Sequence, residues 1–246
     1  MYHQHIKMNK LDFIFFGSSK FSEYVLNVLR DKGYEPKLCI TSAKGDLPEI
    51  PDADLYIVAS FGKILKDELI NKPKYKTLNV HPSLLPKLRG PAPIQGAILS
   101  GEKTGVSIMR MNAKMDQGPV LATKEVIFEN NPEHYVIAEE ILGTIGGELL
   151  AEVIPGWLSG EIKEKPQDDS QATYTKLIKK EDSDITNDSP EVAMRKIRAY
   201  EVWPRARLGE LIVTDAHIEG GKLVLDKVIP PGKKEMVYTD YLRGKH

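Results

Sequence analysis

Apolar positions in the first half of the chain alternate between short unbroken runs and a spacing near 3.6 residues. Leu11 to Phe16 is such a run, ends at Gly17, and predicts a strand. Phe21, Tyr24, Val25, Val28 and Leu29 then follow the i, i+3, i+4, i+7, i+8 spacing of one helix face. Ser18 or Ser19 supplies the N-cap oxygen and Gly33 the stop signal. Runs at Lys37 to Thr41 and Leu55 to Ser60 predict two more strands. A helical stretch from Gly62 to Ile70, a strand at Thr77 to Val80, a helix over Pro93 to Leu99 and a strand over Gly105 to Met111 complete this part. Strands alternating with helices imply crossovers and a mainly parallel sheet covered on both faces. The expected fold class is α/β, doubly wound and Rossmann-like.

Beyond the sheet, Pro132 to Val153 reads as one long helix, with Ile137, Ile141, Ile145 and Leu149 stepping by four. Composition turns polar at Glu164-Lys165-Pro166-Gln167-Asp168-Asp169-Ser170, which suits a linker. Pro190 to Ala199 predicts a short helix. Leu208 to Val213 and Leu223 to Val228 predict strands, with Gly220-Gly221 turning between them. The expected organisation is a larger domain over 1–163, a linker over 164–180 and a small β-rich domain over 181–246.

Composition narrows the class. Of 246 residues 41% are hydrophobic, and 34 Lys plus Arg stand against 35 Asp plus Glu, so no global field announces a nucleic-acid or membrane partner. Cys39 is the single cysteine, which excludes an intrachain disulfide, and no Cys/His spacing suggests zinc. The runs Phe13 to Phe16 and Leu55 to Ala59 are far too short to span a bilayer, and the opening Met1-Tyr2-His3-Gln4-His5 is not a signal peptide. A cytoplasmic globular protein, without metal or membrane, is the expectation.

In an open parallel sheet, ligands sit outside the carboxyl ends of the strands. Gly17-Ser18-Ser19-Lys20-Phe21 follows the first strand, but with one glycine it fails as a dinucleotide fingerprint and reads as a tight turn. Asn79 and His81 lie two apart on an extended segment, so their side chains share a face. An amide donor beside an imidazole is what a site for a developing oxyanion needs; a structural histidine and a turn-forming asparagine fit the same residues. Asp116, in Met115-Asp116-Gln117-Gly118-Pro119, is placed to orient His81 or exchange protons with it, or else to cap an Asx-turn.

The run Asn79-x-His81-x-Ser83-Leu84-Leu85-Pro86-x-x-Arg89-Gly90, with Asp116-Gln117-Gly118 downstream, resembles the signature of formyltransferases that use 10-formyltetrahydrofolate. Within that superfamily the chain is most similar to the methionyl-tRNA formyltransferases. Phe15 to Phe21, Ala92-Pro93-Ile94-Gln95, Glu201-Val202-Trp203-Pro204, Pro231 to Met236 and Asp240 to Gly244 carry the likeness from about Leu11 to Gly244. The resemblance implies a formyltransferase fold followed by a shortened OB-like domain, catalysis by Asn79, His81 and Asp116, and folate binding by Ser83, Leu84, Leu85 and Pro86. It places Phe61-Gly62-Lys63-Ile64-Leu65 near the pterin. It further implies methionyl-tRNA, the initiator, as acceptor, a role in translation initiation, and a monomer.

The implied reaction is attack of an amine on the formyl carbon, through a tetrahedral species whose oxygen Asn79 and protonated His81 stabilise. Asp116 then helps a proton reach the leaving nitrogen. Three basic windows are available to an RNA backbone: Lys72, Lys74, Lys76, Lys87 and Arg89; Arg195, Lys196, Arg198, Arg205 and Arg207; Lys227, Lys233, Lys234, Arg243 and Lys245. Solvated surface is the other reading of each. One departure is plain. Where the tRNA enzymes carry a long basic insertion, this chain has only Ser42 to Asp54, with one Lys and four acids. That shortening favours a second acceptor, the amine of a nucleotide-linked amino sugar. A hydrolase releasing formate, and a binding module without turnover, complete the alternatives.

Overall fold

The structure is a computed structural model that describes residues 11–128 and 133–244. The polar opening Met1 to His5, Pro132 at the expected start of the long helix, and Lys245 in the last basic window lie outside the described residues.

Six strands form the main sheet: β1 (Phe13–Phe16), β2 (Leu38–Ile40), β3 (Leu55–Ala59), β4 (Thr77–His81), β5 (Thr104–Arg110) and β6 (Val120–Val126). Their order is β2-β1-β3-β4-β5-β6. The first four are parallel neighbours, whereas β5 runs antiparallel to β4 and β6 antiparallel to β5. The expected α/β, mainly parallel sheet is present, with its far edge reversed. Helix α3 (Pro93–Ser100) separates β4 from β5 in sequence. The chain enters β5 beside the carboxyl end of β4, with Ser107 opposite His81, so the two strands run antiparallel. Strand β6 escapes the hydrophobic pattern because Thr123, Lys124 and Glu125 face solvent on an edge strand, where polar residues are favoured.

Helix α1 (Lys20–Asp31) starts at a capping box in which Ser19 and Ser22 exchange hydrogen bonds with each other's backbone. It buries Phe21, Val25, Leu26 and Leu29 against the sheet, each contributing about 1.5–3 kcal/mol. Helix α2 (Asp67–Asn71) is shorter than the Gly62 to Ile70 pattern predicts, since Gly62 adopts φ +64° and Lys66 offers no side-chain cap. Helix α4 (Tyr135–Ser159) runs past Val153 and through Pro155 to a left-handed Gly160. Trp157 anchors that last turn by donating Nε1–H to the Tyr75 carbonyl at 2.9 Å. By length and composition α4 is apolar enough to cross a membrane. Here it packs against α1, where Gly143 and Gly147 let the backbones approach Tyr24 and Val28. The β2–β3 connection, residues 41–54, contains no helix, and its Leu47, Ile50 and Ala53 cover the sheet face opposite α4.

Near the start of α4, Glu139 is buried and accepts hydrogen bonds from Tyr135 Oη (2.9 Å) and the Phe21 amide (3.4 Å). Burial holds its pKa above the ordinary glutamate value, and the two hydrogen bonds only partly offset that. A carboxyl whose pKa is higher folded than unfolded contributes stability that is complete below about pH 4.3 and is lost as pH rises through the folded value. Glu139→Gln is therefore expected to remove a decline in stability above that pH. Urea melts from pH 4 to 8 check this, and an unchanged slope would refute it.

The second part of the chain holds α5 (Pro190–Ala199), β7 (Arg207–Leu208), β8 (Leu211–Glu219), β9 (Lys222–Ile229), β10 (Met236–Val237) and α6 (Tyr238–Arg243). Its antiparallel order β10-β9-β8-β7 has one strand fewer than the five of a full oligonucleotide-binding barrel. Ile185, Met194, Ile197, Val213 and Val228 form its own core. Helix α5 joins the two parts: Ala199 and Tyr200 enter the main core, and Arg195 Nη1 donates to the Leu99 carbonyl at the end of α3 (3.1 Å).

Candidate active site

Strand β4 reads Thr77-Leu78-Asn79-Val80-His81, and its alternation separates two environments. Leu78 and Val80 enter the core beneath α1 and α4. Thr77, Asn79 and His81 face the other way, where Thr77 Oγ1 donates to the Ile70 carbonyl of α2 at 2.7 Å. On β5, Ser107 pairs with His81 and Met109 with Asn79, which completes a mostly polar floor on that face. Asn79 and His81 are both buried, at 8% and 4% exposure. The Asn79 carboxamide has no hydrogen-bond partner among the described residues. A cavity of about 310 Å³ opens on the other face of the sheet, between α3, β6 and α4, and includes none of these residues.

Sequence spacing brings Asn79 and His81 together; the fold brings Asp116. Because β5 is antiparallel, its carboxyl end lies beside the amino end of β4, with Arg110 opposite Leu78. The loop 111–119 must therefore run back along the sheet by about three residues, roughly 10 Å. It does so through a tight return at Gly118, where a Cβ would overlap the Arg110 carbonyl oxygen. Asp116 itself sits at φ +54°. Its Oδ2 accepts the Gly90 N–H at 2.8 Å, and its Oδ1 lies 3.7 Å from His81 Nδ1. His81 Nε2 faces the Leu88 carbonyl at 3.2 Å. A carbonyl only accepts, so the neutral ring carries its proton on Nε2, and a second proton, on Nδ1, would face Asp116. The arrangement offers one free amide donor beside an imidazole–carboxylate pair, a set able to steady a developing oxyanion and relay a proton.

The loop after β4 is built from within. Ser83 Oγ donates to the Lys87 carbonyl (2.6 Å), so its hydroxyl shapes the loop. Ser107 Oγ donates to the Ser83 carbonyl (2.7 Å) and accepts the Leu85 N–H (3.0 Å). Ser83 and Leu85 are buried, while Leu84 and Pro86 are half-buried. Across the sheet, β1 lies between β2 and β3, and the loops after β1 and β3 meet there: Ser18 Oγ donates to the Phe61 carbonyl at 3.0 Å. Such a crevice is where open α/β sheets bind ligands. Of Phe61 to Leu65, Phe61 and Leu65 are buried and Ile64 is 80% exposed.

Sequence reasoning missed three residues of this neighbourhood. Arg89, counted as a surface base, is wholly buried. It donates to Gln167 Oε1 (Nε 3.0 Å, Nη2 2.8 Å), to Asp169 Oδ1 (Nη2 2.7 Å) and to Tyr174 Oη (Nη1 3.0 Å). Burial works against its charge, yet the hydrogen bonds with Asp169 and Tyr174 more than offset it and keep the pKa raised. Gln167 lies in the stretch read as a linker. Residues 164–175 are instead strapped along the site: Lys165 exchanges backbone hydrogen bonds with Val120, and Thr173 and Thr175 with Arg89. Ser107 had a signal, a lone polar residue at the buried phase of an apolar strand; Gln167 had none, since every neighbour in its stretch is polar.

Part of each basic window is engaged within the chain. Arg89 is buried, Lys72 pairs with Asp52 (2.8 Å), Lys196 with Asp188 (2.7 Å) and Arg243 with Asp240 (3.0 Å). Lys227, Lys233 and Lys234 are exposed on the small domain.

Comparison with known proteins supplies the context. A methionyl-tRNA formyltransferase from Chloroflexus aggregans is 45% identical over 155 residues, 62% of this chain and 50% of that protein, so the chain matches about half of that relative's length. One from Herpetosiphon aurantiacus is 34% identical over 226 residues, covering 78% of this chain and 72% of the relative. Among solved structures, the methionyl-tRNA formyltransferase from Clostridium thermocellum superposes with a TM-score of 0.66 at 19% identity, covering 89% of this chain and 99% of that one. A sugar N-formyltransferase from Shewanella sp. gives 0.62 at 19%, covering 92% and 99%. Residues 16–140, half of the chain and the span that holds Asn79, His81 and Asp116, match the family described as "Formyl transferase". Both the sheet that sets out these side chains and the sequence that fills it thus lead to one assignment: the chain belongs to the formyl transferase family.

Proposed function

We propose that this protein transfers the formyl group of 10-formyltetrahydrofolate to the α-amino group of methionyl-tRNA, as a monomer in the cytoplasm, at the start of translation. The convergence of Asn79, His81 and Asp116 on one buried face carries the chemistry. The bound folate supplies an electrophilic formyl carbon. A buried carboxamide with free donors, Asn79, fits the oxygen that gains charge on that carbon, and His81 lies beside it on the same strand. Asp116 steadies the protonated imidazolium through Nδ1–H and, with it, hands a proton towards the leaving nitrogen. Leu84 and Pro86 are the half-exposed members of the proposed folate loop, with Ser83 and Leu85 supporting them from below. An α-amino group titrates near pH 8, so the acceptor needs no strong base.

The names of the relatives favour the tRNA acceptor. A second reading, formylation of a nucleotide-linked amino sugar, is favoured by the helix-free crossover at residues 41–54 and by the internal pairing of Lys72, Arg89, Lys196 and Arg243 among the candidate phosphate-binding cations. The deciding experiment is formyl transfer from 10-formyltetrahydrofolate to charged initiator tRNA, with uncharged tRNA and a nucleotide-linked amino sugar as parallel acceptors. Product on charged tRNA alone is expected, with activity falling as salt rises. Product on the sugar alone would replace the acceptor, and formate release without any acceptor would make the protein a hydrolase.

A further inference from the structure

We propose that Gln167 is the positioning residue that holds Asp116 against His81, itself oriented by the buried guanidinium of Arg89. This rests on the formyl-transfer reading above. Asp116 adopts φ +54°, a left-handed conformation that aspartate tolerates better than most residues but that still costs free energy, which its hydrogen bonds offset. Gly90 holds the side chain, through its N–H on Oδ2 at 2.8 Å. The backbone is held by Gln167 Nε2, which donates to the carbonyls of Asp116 (2.9 Å) and Gly118 (2.6 Å).

The amide of a glutamine is nearly symmetric in shape, so something must decide which end points at the loop. Arg89 decides it. A guanidinium only donates, and two of its N–H groups converge on Gln167 Oε1, which leaves Nε2 facing the two carbonyls. A glutamate would satisfy Arg89 equally well but would set an acceptor against two acceptors. A methionine would fill the space and bond neither side. The chain from Arg89 through Gln167 to the Asp116 carbonyl thus fixes where Oδ1 stands relative to His81 Nδ1.

The test combines kinetics with amide hydrogen exchange on the full chain, using Gln167→Glu, Gln167→Met and Asp116→Asn. Gln167→Glu is expected to lower kcat by about 10²-fold, the scale of positioned acid–base help, with both KM values within about threefold. Added to Asp116→Asn it is expected to cost less than about threefold more, because residues acting as a unit are not additive. Exchange at the Gly90 amide, which reports the Asp116 carboxylate, is expected to quicken about tenfold in Gln167→Glu and Gln167→Met. The Arg89 and Thr175 amides, bonded across the strap, are expected to stay protected. Wild-type kcat with unchanged Gly90 exchange overturns the proposal. So does a full multiplicative loss in the Asp116→Asn background, or loss of Arg89 and Thr175 protection together with Gly90, since those mark a merely structural residue. The exchange arm needs no turnover, so it decides the placement of Asp116 even where the wild type formylates neither acceptor, a failure that belongs to the functional reading.

Discussion

His81→Ala is expected to reduce formyl transfer by at least about 10³-fold. Losing a donor to a developing oxyanion costs about 10²–10³ in rate, and losing positioned proton transfer about 10²–10⁴. His81 is placed for the second, with Nδ1 at 3.7 Å from Asp116 Oδ1, and when protonated it brings its charge to the face that Asn79, two residues away, presents to the oxyanion. The side chain is buried, so an alanine also leaves a gap beside the Leu88 carbonyl. His81→Asn, which refills most of that gap, separates the two effects: its melting temperature should lie near wild type while its rate stays low. Asn79→Ala is expected to lose about 10²–10³, the oxyanion part alone. Steady-state rates of the three variants, with folate binding measured beside them, provide the check. Retention of more than a tenth of the activity by His81→Asn would remove His81 from the chemistry.

Arg89→Ala is expected to lower stability by about 3 kcal/mol, the scale for breaking a buried ion pair. The substitution removes hydrogen bonds to Gln167, Asp169 and Tyr174 at once and empties the space of the largest fully buried side chain. For a chain of this size, that corresponds to a fall of about 6–12 °C in melting temperature. The carboxylate of Asp169 is largely exposed and is rehydrated when the pair breaks, which keeps the loss from rising further. Arg89→Lys keeps the charge but not the fork, so it should recover only part of the loss. Melts of the two variants at low and high salt test the account. A change below about 1 kcal/mol for Arg89→Ala would show that the strap is held without it.

The elements legible in the sequence were those whose pattern and purpose coincide. Strand β3 is an unbroken apolar run, α1 carries its cap and its stripe, and α5 begins at Pro190 and ends at Ala199, as the spacing predicts. Asn79 and His81 were legible because alternation along a strand is local. The direction of β5 was not, since the same Gly105 to Met111 pattern serves a parallel or an antiparallel neighbour. The meeting of Asp116 with His81 depends on that direction and on a return at Gly118, both set by tertiary contacts. Arg89 misleads most: a basic residue among prolines and lysines looks solvated, yet its partners come from a polar stretch more than seventy residues later. Composition describes what such a stretch is made of and not what it touches.

The strap at residues 164–175 bears on how the chain can be divided. A cut after residue 163, where the larger domain's own helices and strands end, would release Gln167, Asp169 and Tyr174 and leave Arg89 charged and unmatched in the interior. A cut after 180 would keep those partners but strip Ala199 and Tyr200 from the main core. The shortest fragment that retains the whole main core therefore runs to about the end of α5, well inside what the sequence pattern assigns to the second domain. Order along the chain and order of assembly diverge here, and fragments meant to isolate the reaction should be drawn by the second.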